Sequence, residues 1–227
     1  LLGRLHLMRN LKNNKKTAVL NPLHWILWCL GLATLYFQTS LADPFNSPKL
    51  WILLFFGGWL AGYLFILKSV ILNDHSLKKL LSLICIFLIT LSLSTFFSNI
   101  KYVAFFGDTQ RRNGFFQYLA LSVILILTAT SVTSENIKKL YSTTYFIAII
   151  SAFYSLLQLT GNDFVKWNNP YNSIISTVGN PNFAAAVMAI MGVILFSTVF
   201  IQKFSPTFRI SSCLIFLLLI FLIYKSN

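Results

Sequence analysis

Apolar residues run along this chain in long unbroken stretches, not in alternation with polar ones. Seven stretches stand out, at roughly 21–39, 50–72, 79–97, 114–131, 139–160, 181–202 and 209–225. Several approach the roughly 20 residues that a helix needs to cross a bilayer. A transmembrane β-barrel would alternate apolar and polar residues along each strand, so the pattern predicts an all-α, polytopic transmembrane bundle of about seven spans. Residues 1–20 form a basic segment ahead of the bundle, which occupies 21–227. Basic residues precede the first stretch, as in a signal peptide. No small-x-small cleavage site follows and further spans do, so it is read as a retained helix. No internal repeat or domain boundary interrupts the series.

Composition agrees with the pattern. Hydrophobic residues make up 56% of the chain and charged residues only 10%, with mean hydropathy +0.73, against about 25% charged in soluble domains. The net charge of +13 would suggest nucleic acid in a soluble protein. Here the cations gather in short connections between apolar runs, as the positive-inside rule requires, and no nucleic-acid motif accompanies them. Arg4, Arg9, Lys12, Lys15 and Lys16 precede the first span, and Lys68, Lys78, Lys79, Lys138, Lys139, Lys203 and Arg209 fall in alternate connections. The other side holds Lys49, Lys101, Arg111, Arg112 and Lys166. The N-terminus is therefore expected in the cytoplasm, with connections 40–49, 98–113 and 161–180 facing outward. Cys29, Cys85 and Cys213 each lie within an apolar run, which argues against a disulfide framework. His6, His24 and His75 show no ligand spacing, so no metal and no cofactor is expected.

Two outward segments carry candidate chemistry. Arg111 and Arg112 are adjacent, just before the fourth span, where basic residues are normally depleted. They suit an anionic head group, or they snorkel and anchor a helix end; position alone favours anchoring. The second segment is Gly179-Asn180-Pro181-Asn182. Glycine reaches backbone angles that other residues avoid, asparagine caps a helix, and proline suits its first position. The sixth span should therefore open here, with free N–H groups and a partial positive charge that favours phosphate. An ordinary capped helix is the plainer reading of that spacing. The connection 161–179 is the longest and carries Asp163, Phe164, Lys166, Trp167, Pro170 and Tyr171. It is either a loose segment lying on the membrane or a loop that folds over a site. Gly57, Gly58, Gly62 and Ala184 to Ala186 would permit close helix packing.

Taken in order, Gly107-Asp-Thr-Gln-Arg-Arg-Asn-Gly114 before one span and Thr177-Val-Gly-Asn-Pro-Asn-Phe-Ala184 opening a span two further on resemble the O-antigen ligase and polymerase family of membrane glycosyltransferases. The resemblance covers about residues 80–200. It implies a bundle of about a dozen spans in the bacterial cytoplasmic (inner) membrane. It also implies transfer of a polyprenyl-diphosphate-linked glycan to an acceptor hydroxyl on a glycan, lipid or protein at the outer face. By that resemblance Arg111 or Arg112, Gly114, Gly179, Asn180, Pro181 and Asn182 are substrate-binding, and arginines neutralise the diphosphate without a metal. One arginine is expected on the diphosphate and the other as an anchor, with Arg112 slightly favoured for the first role.

The chain also departs from the family. Ser173, Ile174 and Ile175 stand where many members place a cation before the Gly-Asn-Pro-Asn turn, and the outer histidine that would activate the acceptor has no counterpart. The chain is therefore expected to be the N-terminal half of a longer enzyme and inactive alone. The alternatives are a transporter or flippase of anionic lipid-linked cargo, which should show inverted repeats and broken helices, and a noncatalytic membrane scaffold.

Overall fold

The computed structural model describes residues 21–109, 111–167 and 174–226. The basic segment 1–20, with His6, and Pro170, Tyr171 and Ser173 lie outside the described residues. The elements in chain order are α1 (Leu23–Leu35), α2 (Asn46–Ile66), α3 (Lys68–Asn73), α4 (His75–Phe97), α5 (Lys101–Phe106), α6 (Phe115–Ser131), α7 (Ile137–Leu159), a 3-10 turn (Ser176–Val178), α8 (Pro181–Ser197), a second 3-10 turn (Thr198–Phe200) and α9 (Pro206–Ser226). No strand occurs among the described residues.

Every apolar run becomes helix, but among the described residues five helices are long and apolar enough to cross a membrane: Asn46–Ile66, His75–Phe97, Ile137–Leu159, Pro181–Phe200 and Pro206–Ser226. The first and fourth runs give shorter helices of 13 and 17 residues. Polar caps set several boundaries. The Asp74 carboxylate accepts the N–H groups of Ser76 and Leu77 at the start of α4. Asp43 accepts those of Asn46 and Ser47, both at 2.9 Å, at the start of α2. A non-helical residue, Leu67, separates α2 from α3, so the expected span 50–72 is two helices. The connection expected at 98–113 contains the six-residue helix α5.

The helix surfaces are apolar outward as well as inward. In α4 only 11% of the most apolar window is buried, and Phe65, Phe97, Phe200 and Tyr224 are each more than 70% exposed. Water does not tolerate apolar surface on that scale, and lipid does. The protein is thus a multi-pass helical membrane protein whose outer faces meet hydrocarbon.

The chain forms two compact units. Of the described residues, the first comprises 21–29 and 50–132, and the second comprises 30–49 and those from 133 onward. In the first unit Ile26, Cys29, Phe56, Leu60 and Leu127 form one core cluster, and Ile71, Leu77, Ile84 and Ile126 a second. Gly57 lies so close to Ala120 that an added Cβ would stand 2.6 Å from the alanine methyl. Gly58 and Gly62 have nothing comparable near them, so one of the three expected packing glycines serves that purpose. In the second unit α7, α8 and α9 pack around Ala148, Ala152, Ala184, Met188, Leu195 and Leu219. Of the Ala184–Ala186 run, only Ala184 is buried.

Candidate functional site

At one end of the second unit, the last turn of α7, the segment 174–180 and the start of α8 meet the end of α1 and the start of α2. The turn between the 3-10 segment and α8 has the predicted chemistry. Gly179 takes φ +81° and ψ 5°, the left-handed conformation. The Asn180 side chain accepts the Asn182 N–H at 2.9 Å as N-cap, and Pro181 opens the helix. The Phe45 ring lies over Gly179, leaving no room for a Cβ. Asn180 and Asn182 are exposed, so the helix mouth is open.

Beneath the turn sits a paired polar network. Gln158 is 3% exposed. Its carbonyl accepts the N–H groups of Ile175 at 3.1 Å and Ser176 at 2.7 Å, and its amide donates to Asp163 at 3.1 Å. The buried Tyr154 hydroxyl donates to the same carboxylate at 3.2 Å and accepts the Trp167 indole N–H at 3.0 Å. Phe37, Phe45, Tyr154 and Trp167 stack around this network with ring centroids 4.8–5.7 Å apart. Buried polar groups are stable when their hydrogen bonds are completed. The described part of the connection 161–179 is accordingly folded down on α7, not loose on the membrane.

Two contacts here were not legible in the sequence. The half-buried Lys49, in the first turn of α2, donates from its ammonium to the Thr177 carbonyl at 2.7 Å. The Thr177 hydroxyl donates to the Thr34 carbonyl at 2.8 Å. Ser173, Ile174 and Ile175 provide no cation before the turn, yet Lys49 places one there from a distant part of the chain. The signal was present in weak form, since Lys49 is a cation in a connection on the side where cations are scarce.

The other predicted segment lies in the first unit. Gly107, at φ +82°, and the buried Gly114 pinch the loop between α5 and α6, and an added Cβ at either would collide with backbone of the other limb. The Asp108 carbonyl accepts the N–H groups of Arg111 at 3.1 Å and Arg112 at 2.7 Å. Arg112 is held at φ +53° and donates from Nη1 to the Tyr102 hydroxyl at 3.3 Å. Arg111 is exposed. The two arginines therefore differ in setting. Among the described residues, Arg112 and Ser176 are the non-glycine residues at positive φ; Arg112 lies within the first motif and Ser176 directly precedes the second. Such strain costs about 1–3 kcal/mol and concentrates where function holds it in place.

Among the described residues no group of three His, Cys, Asp or Glu side chains is placed to hold a metal ion. A groove of about 320 Å³ between α4 and α6 is lined by Leu83, Ile84, Phe87, Tyr118, Leu121 and Leu125 among others, and suits a hydrocarbon chain better than a polar ligand. Comparison of the chain with protein-family models, with curated proteins and with solved structures finds no match.

Proposed function

We propose that the chain takes part in O-antigen ligase-like transfer: a glycan moves from a polyprenyl diphosphate carrier to an acceptor hydroxyl on a glycan, lipid or protein. The reaction takes place at the outer face of the bacterial cytoplasmic membrane. The observation that carries the reading is the Gly179–Asn182 mouth, preset by a left-handed glycine, capped by Asn180 and bordered by the Lys49 ammonium on Thr177. As the glycosidic bond to the carrier breaks, negative charge grows on the departing diphosphate. Preplaced donors stabilise such charge by a few kcal/mol each, more so in the low dielectric of a membrane boundary. The exposed Asn180 and Asn182 amides and the α8 N-terminus supply neutral donors. On the sequence resemblance alone, Arg112 is assigned the planar cationic fork that matches phosphate oxygens, and Arg111 the anchoring of the helix end. Lys49 acts on the mouth through Thr177 as a positioning residue. In this reading the N-terminus is cytoplasmic, and α1 and α6 complete seven crossings.

The test is transfer from a radiolabelled polyprenyl-diphosphate glycan in membranes carrying the protein at its natural length. Arg112→Ala should lower the rate about 100-fold. Arg112→Lys keeps charge but loses the fork, and should recover little of it. Undiminished transfer in both Arg111→Ala and Arg112→Ala would overturn the diphosphate role. Full transfer in Arg112→Ala and Asn180→Ala alike would favour a scaffold.

A further inference from the structure

We propose that the connection between α4 and α6 is a docking site for the headgroup of an anionic phospholipid, gripped by Lys101 and Arg111. This inference does not depend on the glycan-transfer reading. Helix α4 has 23 residues and at 1.5 Å per residue is about 34 Å long, enough to cross the roughly 30 Å hydrocarbon core. The connection that follows Phe97 therefore lies at a bilayer boundary. It presents apolar and aromatic surface there: Phe96, Phe97, Ile100 and Tyr102 are all between 59% and 76% exposed. Helix α5 packs against the ends of α4 and α6, and Lys101 and Tyr102 in its first turn stay exposed.

Charge identifies the lipid. Between Ser98 and Gly114 the cations are Lys101, Arg111 and Arg112, and Asp108 is the lone acid. The Lys101 ammonium donates to the Phe96 carbonyl in the last turn of α4 and stands 5.3 Å from the centroid of the Phe96 ring. That placement suits a cation, because a helix C-terminus is the negative end of its dipole. Arg112 donates from Nη1 to the Tyr102 hydroxyl and is not assigned to this site. The Arg111 backbone is fixed by its bond to Asp108, and among the described residues nothing is bonded to its guanidinium. An exposed guanidinium on a pinched loop matches two phosphodiester oxygens. A zwitterionic headgroup brings its own ammonium and gains less from it.

Native mass spectrometry of the detergent-purified protein with equimolar phosphatidylglycerol and phosphatidylcholine tests the proposal. Wild type should retain phosphatidylglycerol preferentially, and Lys101→Gln with Arg111→Gln should lower that preference about 5-fold per cation removed. Arg111→Gln alone removes no described side-chain bond, so it covers the case in which the double variant does not fold. Lys138→Gln with Lys139→Gln, on another connection, should retain the preference. Equal retention of the two lipids by wild type overturns the proposal. So does a preference unchanged in both Arg111 variants, or one lost equally in the Lys138 and Lys139 variant. Displacement of the lipid by inorganic phosphate alone would identify an anion site and likewise overturn it.

Discussion

Gly179 answers two demands at once, because its φ of +81° is left-handed and the Phe45 ring occupies the space of a side chain. A left-handed L-residue costs about 1–2 kcal/mol, and overpacking adds about 1–3 kcal/mol. Gly179→Ala should therefore destabilise the protein by at least about 2 kcal/mol, read as thermal unfolding in detergent. Phe45→Leu should recover the packing share and leave the backbone share. Gln158 makes a different prediction. Gln158→Leu leaves the buried N–H groups of Ile175 and Ser176 without their acceptor, at about 1–3 kcal/mol each. Hydrogen exchange should show protection falling at those two amides, with α9 unaffected. Unchanged exchange at Ile175 and Ser176 would mean that the network does not hold the segment down. The cap at Asn180 and the first-turn proline were legible beforehand, because capping is chemistry between residues two or three apart. Lys49 was not, because 128 residues separate it from Thr177 and no local pattern records such a partnership.

At the scale of elements, the glycines of α2 divide by what faces them. Gly57→Ala forces a methyl against Ala120 and should loosen the packing of α2 on α6. Gly58→Ala and Gly62→Ala meet open space and should be neutral or stabilising by up to about 1 kcal/mol. Thermal midpoints of the three variants, measured side by side, check the division, and equal midpoints would remove the close approach at Ala120. Helix existence was readable because an apolar run in lipid has to bond its backbone internally. The break at Leu67 was not, since it lies in a run that continues without a proline or glycine stop at that point, and neither was the helix Lys101–Phe106, six residues within a segment read as a connection. Which glycine faces a neighbour depends on how a helix is rotated, and an apolar surface all round leaves that unspecified.

For the molecule as a whole, α7 is the clearest gauge of topology. Its 23 residues reach about 34 Å, so positions 134 and 162 should lie on opposite sides of the membrane. With Cys29, Cys85 and Cys213 replaced by alanine, Ser134→Cys and Asn162→Cys can each be probed with an impermeant maleimide in intact cells. Asn162→Cys should react at once and Ser134→Cys only after permeabilisation. The reverse order would invert the orientation proposed from the Lys and Arg distribution, and labelling of both in intact cells would deny α7 as a span.

The Thr177 contacts also set an order of events during synthesis. The Thr34 carbonyl and the Lys49 ammonium leave the ribosome 143 and 128 residues before their partner. At about 5–20 residues per second, that interval is roughly 6–30 s. Through that time the ends of α1 and α2 face a partially inserted chain without the group that will join them. Completion of the mouth therefore waits on residue 177, and the newborn protein passes through a stage in which the ends of α1 and α2 have been made but its Gly-Asn-Pro-Asn turn is still unclasped.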